Sequence, residues 1–229
     1  TTRVEGRDTI GEETVPIEDK DEEGLTRRAN LVHPLSNQQI QDYAEYDRAT
    51  KRLIFEYSVR AYRATGLWEF REVNVFDLAG NGRRVDLKNL AKTVDIITPN
   101  PDYVKPEIDL AAIKIVATPR RPEAPDGETD VAITYAARDD NAGLGLVTYQ
   151  ILKPNGQTIF DYHYHENFYT PYFEGDPRVW KTRMIRLTLP PGSIPGIWAL
   201  QEIVLKDKAE NTLTSRFVET GILRKFKVL

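Results

Sequence analysis

The chain has 229 residues, a formal net charge of −4 and no cysteine. The lack of cysteine excludes a disulfide framework, a thiolate metal site and a cysteine nucleophile. Because charges of both signs are interspersed, the sequence has no basic footprint for nucleic acid, and no apolar run approaches the roughly 18 residues of a membrane-spanning helix. We therefore predict neither a nucleic-acid partner nor membrane insertion.

The first half of the chain predicts short β-strands. It begins with Thr1 and has no signal-peptide core, as expected of a piece cut from a longer precursor. Residues 1–12 are polar and contain no clear opening strand, and an acidic loop follows at Glu18–Glu23. Apolar residues then alternate over 53–59, as on a half-buried strand, and a short turn leads to a second strand around Trp68.

The second half repeats this order after a proline-rich segment. Residues 98–106 contain three prolines, which predicts a semi-extended linker. Apolar positions at 113–115 and 131–135 then mark two strands, and alternation over 185–189 precedes another strand around Trp198. Apart from the opening strand, the elements of the two halves therefore correspond.

A specific sequence match links the halves at a spacing of 130 residues. The segment Trp68–Asn81 corresponds to Trp198–Asn211. Four apolar positions agree one for one, namely Trp68, Phe70, Val73 and Val75 against Trp198, Leu200, Ile203 and Leu205. At the same point, both copies have two consecutive polar residues where strict alternation allows one. This shared irregularity predicts the same β-bulge in both strands. A repeat longer than about 50 residues predicts two tandem domains rather than a solenoid.

The domain boundaries follow from this repeat. We predict a first domain at 1–98 without a clear opening strand, a linker at 99–106 and a second domain at 107–229. Upstream of the tryptophan strands the two copies are only about 120 residues apart, compared with 130 at the strands themselves. The second copy therefore carries about ten extra residues between these two points. They lie in an aromatic insertion at 160–180.

The order of strands and turns resembles the tandem immunoglobulin-like or fibronectin-type domains of bacterial secreted and cell-surface proteins. The residues that carry the resemblance are Gly66, Trp68, Asp77, Ala79, Gly80 and Asn81 in the first copy and Asp139, Gly143, Leu144, Pro154, Gly156, Gly196, Trp198, Asp207, Ala209 and Asn211 in the second. Two departures are Glu210 in place of a turn glycine and Ser36-Asn37 in place of Asn155-Gly156. The resemblance implies an all-β fold of two antiparallel immunoglobulin-like β-sandwiches joined by a short proline-rich linker.

The resemblance also brings acidic residues together. In such a sandwich the loop after the second strand and the turn before the last strand lie at one pole. Asp139, Asp140 and Asp207 are then expected to converge there, with Glu107 or Asp109 from the start of the domain. Their hard oxygen ligands suit Ca²⁺, which takes six to eight of them. The alternative is that these residues cap tight turns through their own backbone.

The aromatic insertion is the strongest candidate for a binding site. Its aromatic residues are Phe160, Tyr162, Tyr164, Phe168, Tyr169, Tyr172, Phe173 and Trp180. Aromatic faces stack on sugar rings or anchor protein partners. The alternative is that half of these rings pack against the sandwich or the other domain. His163 and His165 share a strand face, but two imidazoles are fewer ligands than a zinc site usually has.

The sequence contains no motif for catalysis. It lacks a Gly-x-Ser-x-Gly elbow, a phosphate-binding glycine loop and a His-Glu-x-x-His pair, so we predict that the fragment is not an enzyme and that Ca²⁺ is its only candidate cofactor. We expect a non-catalytic structural or interaction module of a larger bacterial secreted or cell-surface protein, such as an adhesin, which contacts neighbouring domains of its parent. The alternative is a module that binds a glycan or a surface protein through the aromatic insertion.

Overall fold

The protein is an all-β molecule made of antiparallel strand pairs. The computed structural model describes residues 9–10, 14–15, 26–47, 49, 52–55, 57–76, 81–90, 92–165, 175–217 and 224–229. The helical content of these ranges is one turn of 3-10 helix at Lys88–Leu90, and no helix in them is long and apolar enough to cross a membrane. The chain divides into two compact units, Thr1–Tyr103 and Val104–Leu229.

The described part of the first unit contains nine strands. They are β1 (Thr9–Ile10), β2 (Thr14–Val15), β3 (Thr26–Val32), β4 (Gln39–Asp47), β5 (Arg52–Phe55), β6 (Tyr57–Ser58), β7 (Gly66–Phe76), β8 (Gly82–Asp86) and β9 (Thr93–Ile96). The large sheet has the order β2-β5-β4-β3-β7-β8, with β9 also paired to β7, and β1 pairs with β6. Strand β4 changes partner, because residues 39–43 pair with β3 and residues 44–47 with β5. Of the range that was predicted to lack an opening strand, only residues 9–10 are described, and they form β1.

The described residues of the second unit form eight strands in two sheets. They are β10 (Glu107–Pro119), β11 (Thr129–Arg138), β12 (Leu144–Leu152), β13 (Thr158–Tyr164), β14 (Lys181–Leu189), β15 (Gly196–Asp207), β16 (Thr212–Arg216) and β17 (Arg224–Val228). One sheet has the order β10-β11-β14, and the other has the order β13-β12-β15-β16, with β17 also paired to β15. Ile133 and Tyr135 from the first of these sheets share a hydrophobic core with Val147, Tyr149 and Trp198 from the second.

The two tryptophan strands contain the same bulge. Strand β7 skips Arg71 in its pairing with β3, and β15 skips Gln201 in its pairing with β12. The carbonyl oxygens of these two residues accept hydrogen bonds from the amides of Leu87 at 2.9 Å and Phe217 at 2.8 Å, respectively. The bulge predicted from the broken alternation is therefore confirmed at the same spacing of 130 residues.

Each tryptophan is fixed in its core in the same way. The Trp68 indole nitrogen donates a hydrogen bond to the carbonyl oxygen of Ala64 at 3.0 Å, and both residues are fully buried. The Trp198 indole nitrogen donates to the carbonyl oxygen of Ile194 at 2.9 Å. Burial of such a ring contributes a large share of core stability because it removes much apolar area from water. The predicted core role of both tryptophans is therefore confirmed.

The two departures from the repeat keep a backbone conformation that favours glycine. Asn37 has a φ of 57° where the second copy has Gly156 at 83°, and Glu210 has a φ of 73° in the turn after β15. Asparagine tolerates the left-handed region because its short side chain bonds locally, whereas glutamate does so less readily.

The segment between β9 and β10 is partly bonded to the first unit. The Thr98 hydroxyl donates to the carbonyl oxygen of Arg63 at 2.6 Å, and the Asp102 amide donates to that of Tyr62 at 2.9 Å. The Gln38 side-chain amide in turn donates to the carbonyl oxygen of Asp102 at 2.7 Å. Residues up to Asp102 are thus held by hydrogen bonds to the first unit, although they lie within the range predicted as a linker.

Candidate functional site

Three exposed aromatic side chains form a row on β13. Phe160, Tyr162 and Tyr164 are 62%, 57% and 50% exposed. Alternate residues of a strand share one face, so all three point to the same side of the sheet. We call these three residues the aromatic strip. Strand β13 is the end member of its sheet among the described strands.

The aromatic strip lies on the face of this sheet that is turned away from the core. Tyr162 pairs with Thr148 and Phe160 pairs with Gln150 on the neighbouring strand β12. The alternate residues of β12, including Tyr149 and Ile151, are buried in the core. Because paired residues share a face, the aromatic strip faces outward. These three rings therefore do not pack into the core of their own sandwich.

A polar row continues across the same face. The Gln150 side-chain amide donates to Glu202 Oε1 at 3.2 Å, and Arg216 Nε donates to Glu202 Oε2 at 2.8 Å. Phe160, which is paired with Gln150, lies at the end of this row. Beside the aromatic strip the face therefore offers amide and carboxylate groups that can exchange hydrogen bonds with a hydroxylated ligand.

The rings of the aromatic strip do not form a flat platform. The centroids of the Tyr162 and Tyr164 rings are 5.7 Å apart, and the ring planes are inclined at 78°. This edge-to-face arrangement is a favourable one for an aromatic pair. A ligand would therefore meet the face of one ring and the edge of the next.

Asp161 anchors the opposite face of β13. Its Oδ2 atom accepts a hydrogen bond from the Tyr149 hydroxyl at 3.1 Å, and its Oδ1 atom accepts one from the Tyr162 amide at 2.8 Å. Burial raises the pKa of Tyr149, and the negative charge of Asp161 raises it further, so the hydroxyl remains a donor at neutral pH. This pair fixes the backbone that presents Tyr162.

The two histidines of the insertion are not arranged as a metal site. The His163 and His165 ring centroids are 5.2 Å apart in an edge-to-face contact. His165 Nε2 is hydrogen-bonded to the hydroxyl of Tyr135. Burial lowers the pKa of His165 to about 3, and the positive charges of Arg183 and His163 act in the same direction. His165 is therefore a neutral structural residue at physiological pH.

The other aromatic residues of the insertion do not belong to the strip. Trp180 is partly exposed and directly precedes β14 of the other sheet, where the Arg138 guanidinium carbon lies 4.8 Å from its ring centroid. Arg138 also donates to both carboxylate oxygens of Glu107 at 3.1 and 2.9 Å. The remaining predicted binding residues, Phe168, Tyr169, Tyr172 and Phe173, lie outside the described residues.

Two of the four predicted metal ligands lie together. Asp139 and Asp207 are both buried, and each offers a carboxylate oxygen within 4.8 Å of the other. Asp140 and Asp109 are exposed, and neither belongs to a cluster of carboxylates within the described ranges. Asp109 Oδ1 instead accepts the amide of Ala111 at 2.9 Å, so this carboxylate caps its own turn.

Asp139 and Asp207 also cap their own turns. Asp139 Oδ2 accepts hydrogen bonds from the backbone amides of Gly143 at 2.7 Å and Asn141 at 3.2 Å. Asp207 Oδ1 accepts the Asn211 amide at 2.8 Å. Two buried carboxylates at this separation repel each other unless a proton or a cation is present. The pair can therefore combine turn capping with cation binding.

Sequence reasoning did not identify Gln150, Glu202 or Asp161 as part of the candidate site. The usable signal was the alternation on β12, where Thr148 and Gln150 interrupt a run of buried residues. The pairing of Glu202 with this strand carries no local sequence signal, since it depends on the register between β12 and β15.

Comparisons with known proteins identify no family for this chain. No family model matches it, and no curated protein matches it. Among solved structures eleven chains match. The X-ray structure of a Northeast Structural Genomics Consortium target, SoR45, is 12% identical and aligns over 54% of this chain and 86% of its own at a TM-score of 0.33.

A leucine-rich repeat protein from Bacteroides thetaiotaomicron VPI-5482 gives a second match. Its crystal structure is 9% identical and aligns over 91% of this chain at a TM-score of 0.24. This chain spans 23% of the length of that protein. Likenesses this weak carry no argument about the function of the chain.

Proposed function

We propose that the chain is a non-catalytic interaction module of a larger bacterial secreted or cell-surface protein, built from two immunoglobulin-like sandwiches. Two antiparallel sheets that share one core in the second unit support this architecture. The common bulge and tryptophan anchor support the same fold for the first unit. In this proposal residues 99–106 are the linker to the second sandwich. The two units contact neighbouring domains of the parent protein.

In this proposal the second unit binds a carbohydrate through the aromatic strip. The observation that carries it is the exposure of Phe160, Tyr162 and Tyr164 along one outward face. Contiguous exposed apolar surface is uncommon on a soluble protein and often marks a binding site. Aromatic ring faces stack on the apolar C–H faces of sugars, while Gln150 and Glu202 can exchange hydrogen bonds with sugar hydroxyls.

The ring geometry narrows the class of carbohydrate. Tyr162 and Tyr164 are inclined at 78° and form a corner rather than a plane. A flat crystalline polysaccharide needs coplanar rings, whereas a single soluble glycan chain can place one sugar against a ring face and another against a ring edge. The proposal is therefore that the ligand is a single glycan chain.

A glycan array with the full chain tests this proposal, followed by titration of the positive glycans. The double variant Phe160→Ala/Tyr162→Ala should weaken binding by about tenfold or more, because exposed aromatic anchors carry much of the binding free energy at such sites. Trp180→Ala is the matched control, since Trp180 is partly exposed but lies off the aromatic strip. Glycan binding that is unchanged in the double variant contradicts the assignment. A blank array contradicts the carbohydrate ligand and favours a protein partner.

A second proposal places Ca²⁺ at the pair of Asp139 and Asp207. The close approach of two buried carboxylates supports it, because a divalent cation would remove their repulsion and carboxylates are the ligands that Ca²⁺ prefers. Lys208 is also buried in this turn and offers a positive charge without a metal. The experiment must therefore separate calcium binding from turn capping.

A further inference from the structure

The first unit carries an exposed tyrosine that corresponds to Tyr162. The sequences Ile40–Tyr43 and Ile159–Tyr162 share their isoleucine, aspartate and tyrosine at a spacing of 119 residues. Ile40 and Ile159 both pack against the core of their own unit. Tyr43 is 61% exposed, which is close to the 57% of Tyr162. The two tyrosines therefore have the same local sequence and the same exposure.

The strand register gives the two tyrosines the same position in their sheets. The cross-strand rows are Tyr43-Arg28-Asn74 on β4, β3 and β7 and Tyr162-Thr148-Val204 on β13, β12 and β15. The second members of the rows are 120 residues apart and the third members 130 residues apart, which are the spacings of the sequence repeat. Tyr43 is thus the counterpart of Tyr162 on the outward face of the first unit.

The backbone before each tyrosine is held by the same hydrogen bond. The Tyr43 amide donates to Asp42 Oδ1 at 2.8 Å, and the Tyr162 amide donates to Asp161 Oδ1 at 2.8 Å. A bond that recurs at both positions fixes the direction in which each ring leaves the strand. A backbone that is restrained in this way loses less conformational entropy when a ligand binds.

The neighbour of the tyrosine differs between the two units. Arg28 replaces Thr148, and its guanidinium carbon lies 5.9 Å from the centroid of the Tyr43 ring. Arg84, which pairs with Asn74 on this face, contacts the carboxylate of Glu72. The Asp42 carboxylate is engaged with the Tyr43 amide. An exposed guanidinium beside an exposed ring favours a ligand that has both an apolar face and a carboxylate.

We propose that Tyr43 and Arg28 form a second carbohydrate site and that this site binds a uronate, a sugar with a carboxylate group. The sugar ring stacks on Tyr43, and its carboxylate pairs with the guanidinium of Arg28. This inference rests on the carbohydrate function proposed for the aromatic strip. It adds a second site, in the first unit, whose ligand is a negatively charged sugar.

Titration of the full chain with uronate oligomers tests the inference. The probes are oligogalacturonate, an alginate oligomer and a hyaluronan fragment, each compared with its neutral methyl ester. Amide chemical shifts report binding in the two units separately. At least one acidic probe should shift first-unit signals around Tyr43, and its methyl ester should bind there about tenfold more weakly, because it cannot form the charge-assisted pair with Arg28.

Two variants and one control assign the site. Tyr43→Ala and Arg28→Gln should each weaken the first-unit response by about fivefold to tenfold, with urea unfolding curves that coincide with that of the wild type. Leu35→Ala removes an exposed apolar residue of the same unit and should change nothing. The loss in Arg28→Gln should be smaller at high salt, since salt screens exposed charges.

The outcomes separate this inference from the proposed function. If no acidic probe shifts the signals around Tyr43, or if the response is unchanged in Arg28→Gln, the uronate site is refuted. That result leaves the aromatic strip untouched, because its test uses Phe160 and Tyr162 of the second unit. Conversely, loss of first-unit binding in Arg28→Gln supports the uronate site even when the strip variants bind every glycan normally.

Discussion

The indole nitrogen of Trp198 donates a hydrogen bond to the carbonyl oxygen of Ile194 at 2.9 Å, from within the core of the second unit. Trp198→Phe removes this bond and part of the ring volume. We expect the free energy of unfolding to fall by about 1–3 kcal/mol, since the hydrogen bond is lost and a cavity remains in the core. Urea unfolding followed by circular dichroism measures the change. Trp180→Phe, at a partly exposed ring, should stay within about 0.5 kcal/mol of the wild type.

Gly196 opens the same strand with a φ of 134°, and a Cβ atom there would lie 3.1 Å from Pro154 Cγ. We expect Gly196→Ala to lower the free energy of unfolding by about 1–3 kcal/mol, because both the backbone strain and the contact oppose the methyl group. Gly192→Ala is the matched control, since its φ is 80° and its Cβ would meet no atom within 4 Å. Equal losses in the two variants would show that the contact with Pro154 has no effect.

Burial gives His165 a role in acid stability. Its pKa in the folded state is lowered from 6.5 to about 3, so the unfolded state binds a proton first. The stabilisation from neutral His165 is therefore fully present above pH 6.5 and is lost as the pH falls from 6.5 towards 3. The loss approaches about 1.4 kcal/mol per pH unit in that window.

His165→Gln tests this pH dependence because the glutamine side chain can also hydrogen-bond to the Tyr135 hydroxyl but does not titrate. We expect the free energy of unfolding of this variant to fall less steeply with acid than that of the wild type. His163→Gln removes a positive charge that contributes to the lowered pKa of His165, so its curve should depart from the wild-type curve less than that of His165→Gln. Parallel curves for the wild type and His165→Gln would contradict the assigned pKa direction.

Melting curves in Ca²⁺ and in chelator test the proposed cation site. If Ca²⁺ binds the folded state at Asp139 and Asp207, a free concentration about one hundred times the Kd should stabilise the protein by about 2.7 kcal/mol. The double variant Asp139→Asn/Asp207→Asn should lose this gain, whereas Asp140→Asn should keep it. Identical melting temperatures of the wild type in millimolar Ca²⁺ and in chelator would leave turn capping as the only role of the pair.

The local features of the tryptophan strands could be predicted from the sequence. The alternation around Trp68 and Trp198 reflects one buried face, and its interruption marks the bulges at Arg71 and Gln201. These signals are local, because a strand shows its own period and its own irregularity wherever it lies. The proximity of Asp139 and Asp207 followed from the resemblance, since loops at one pole of a sandwich meet.

Other features depend on which strands pair. The Ile185–Leu189 strand and the Trp198 strand follow one another in the sequence, yet they lie in different sheets. Strand β14 pairs with β11, whereas β15 pairs with β12. Register and partner choice depend on the whole core rather than on local pattern. For the same reason, only the structure shows that Tyr162 faces outward and that Asp109 caps its own turn instead of joining the acidic pair.

Asp161 has a consequence beyond ligand presentation. Strand β13 is the end member of its sheet among the described strands, and an amide there that is already bonded to a neighbouring side chain is a poor docking point for a foreign extended chain. We therefore expect Asp161 to oppose strand-to-strand self-association. Loss of Asp161 would free the Tyr162 amide beside three apolar rings, the combination from which fibrous aggregates begin.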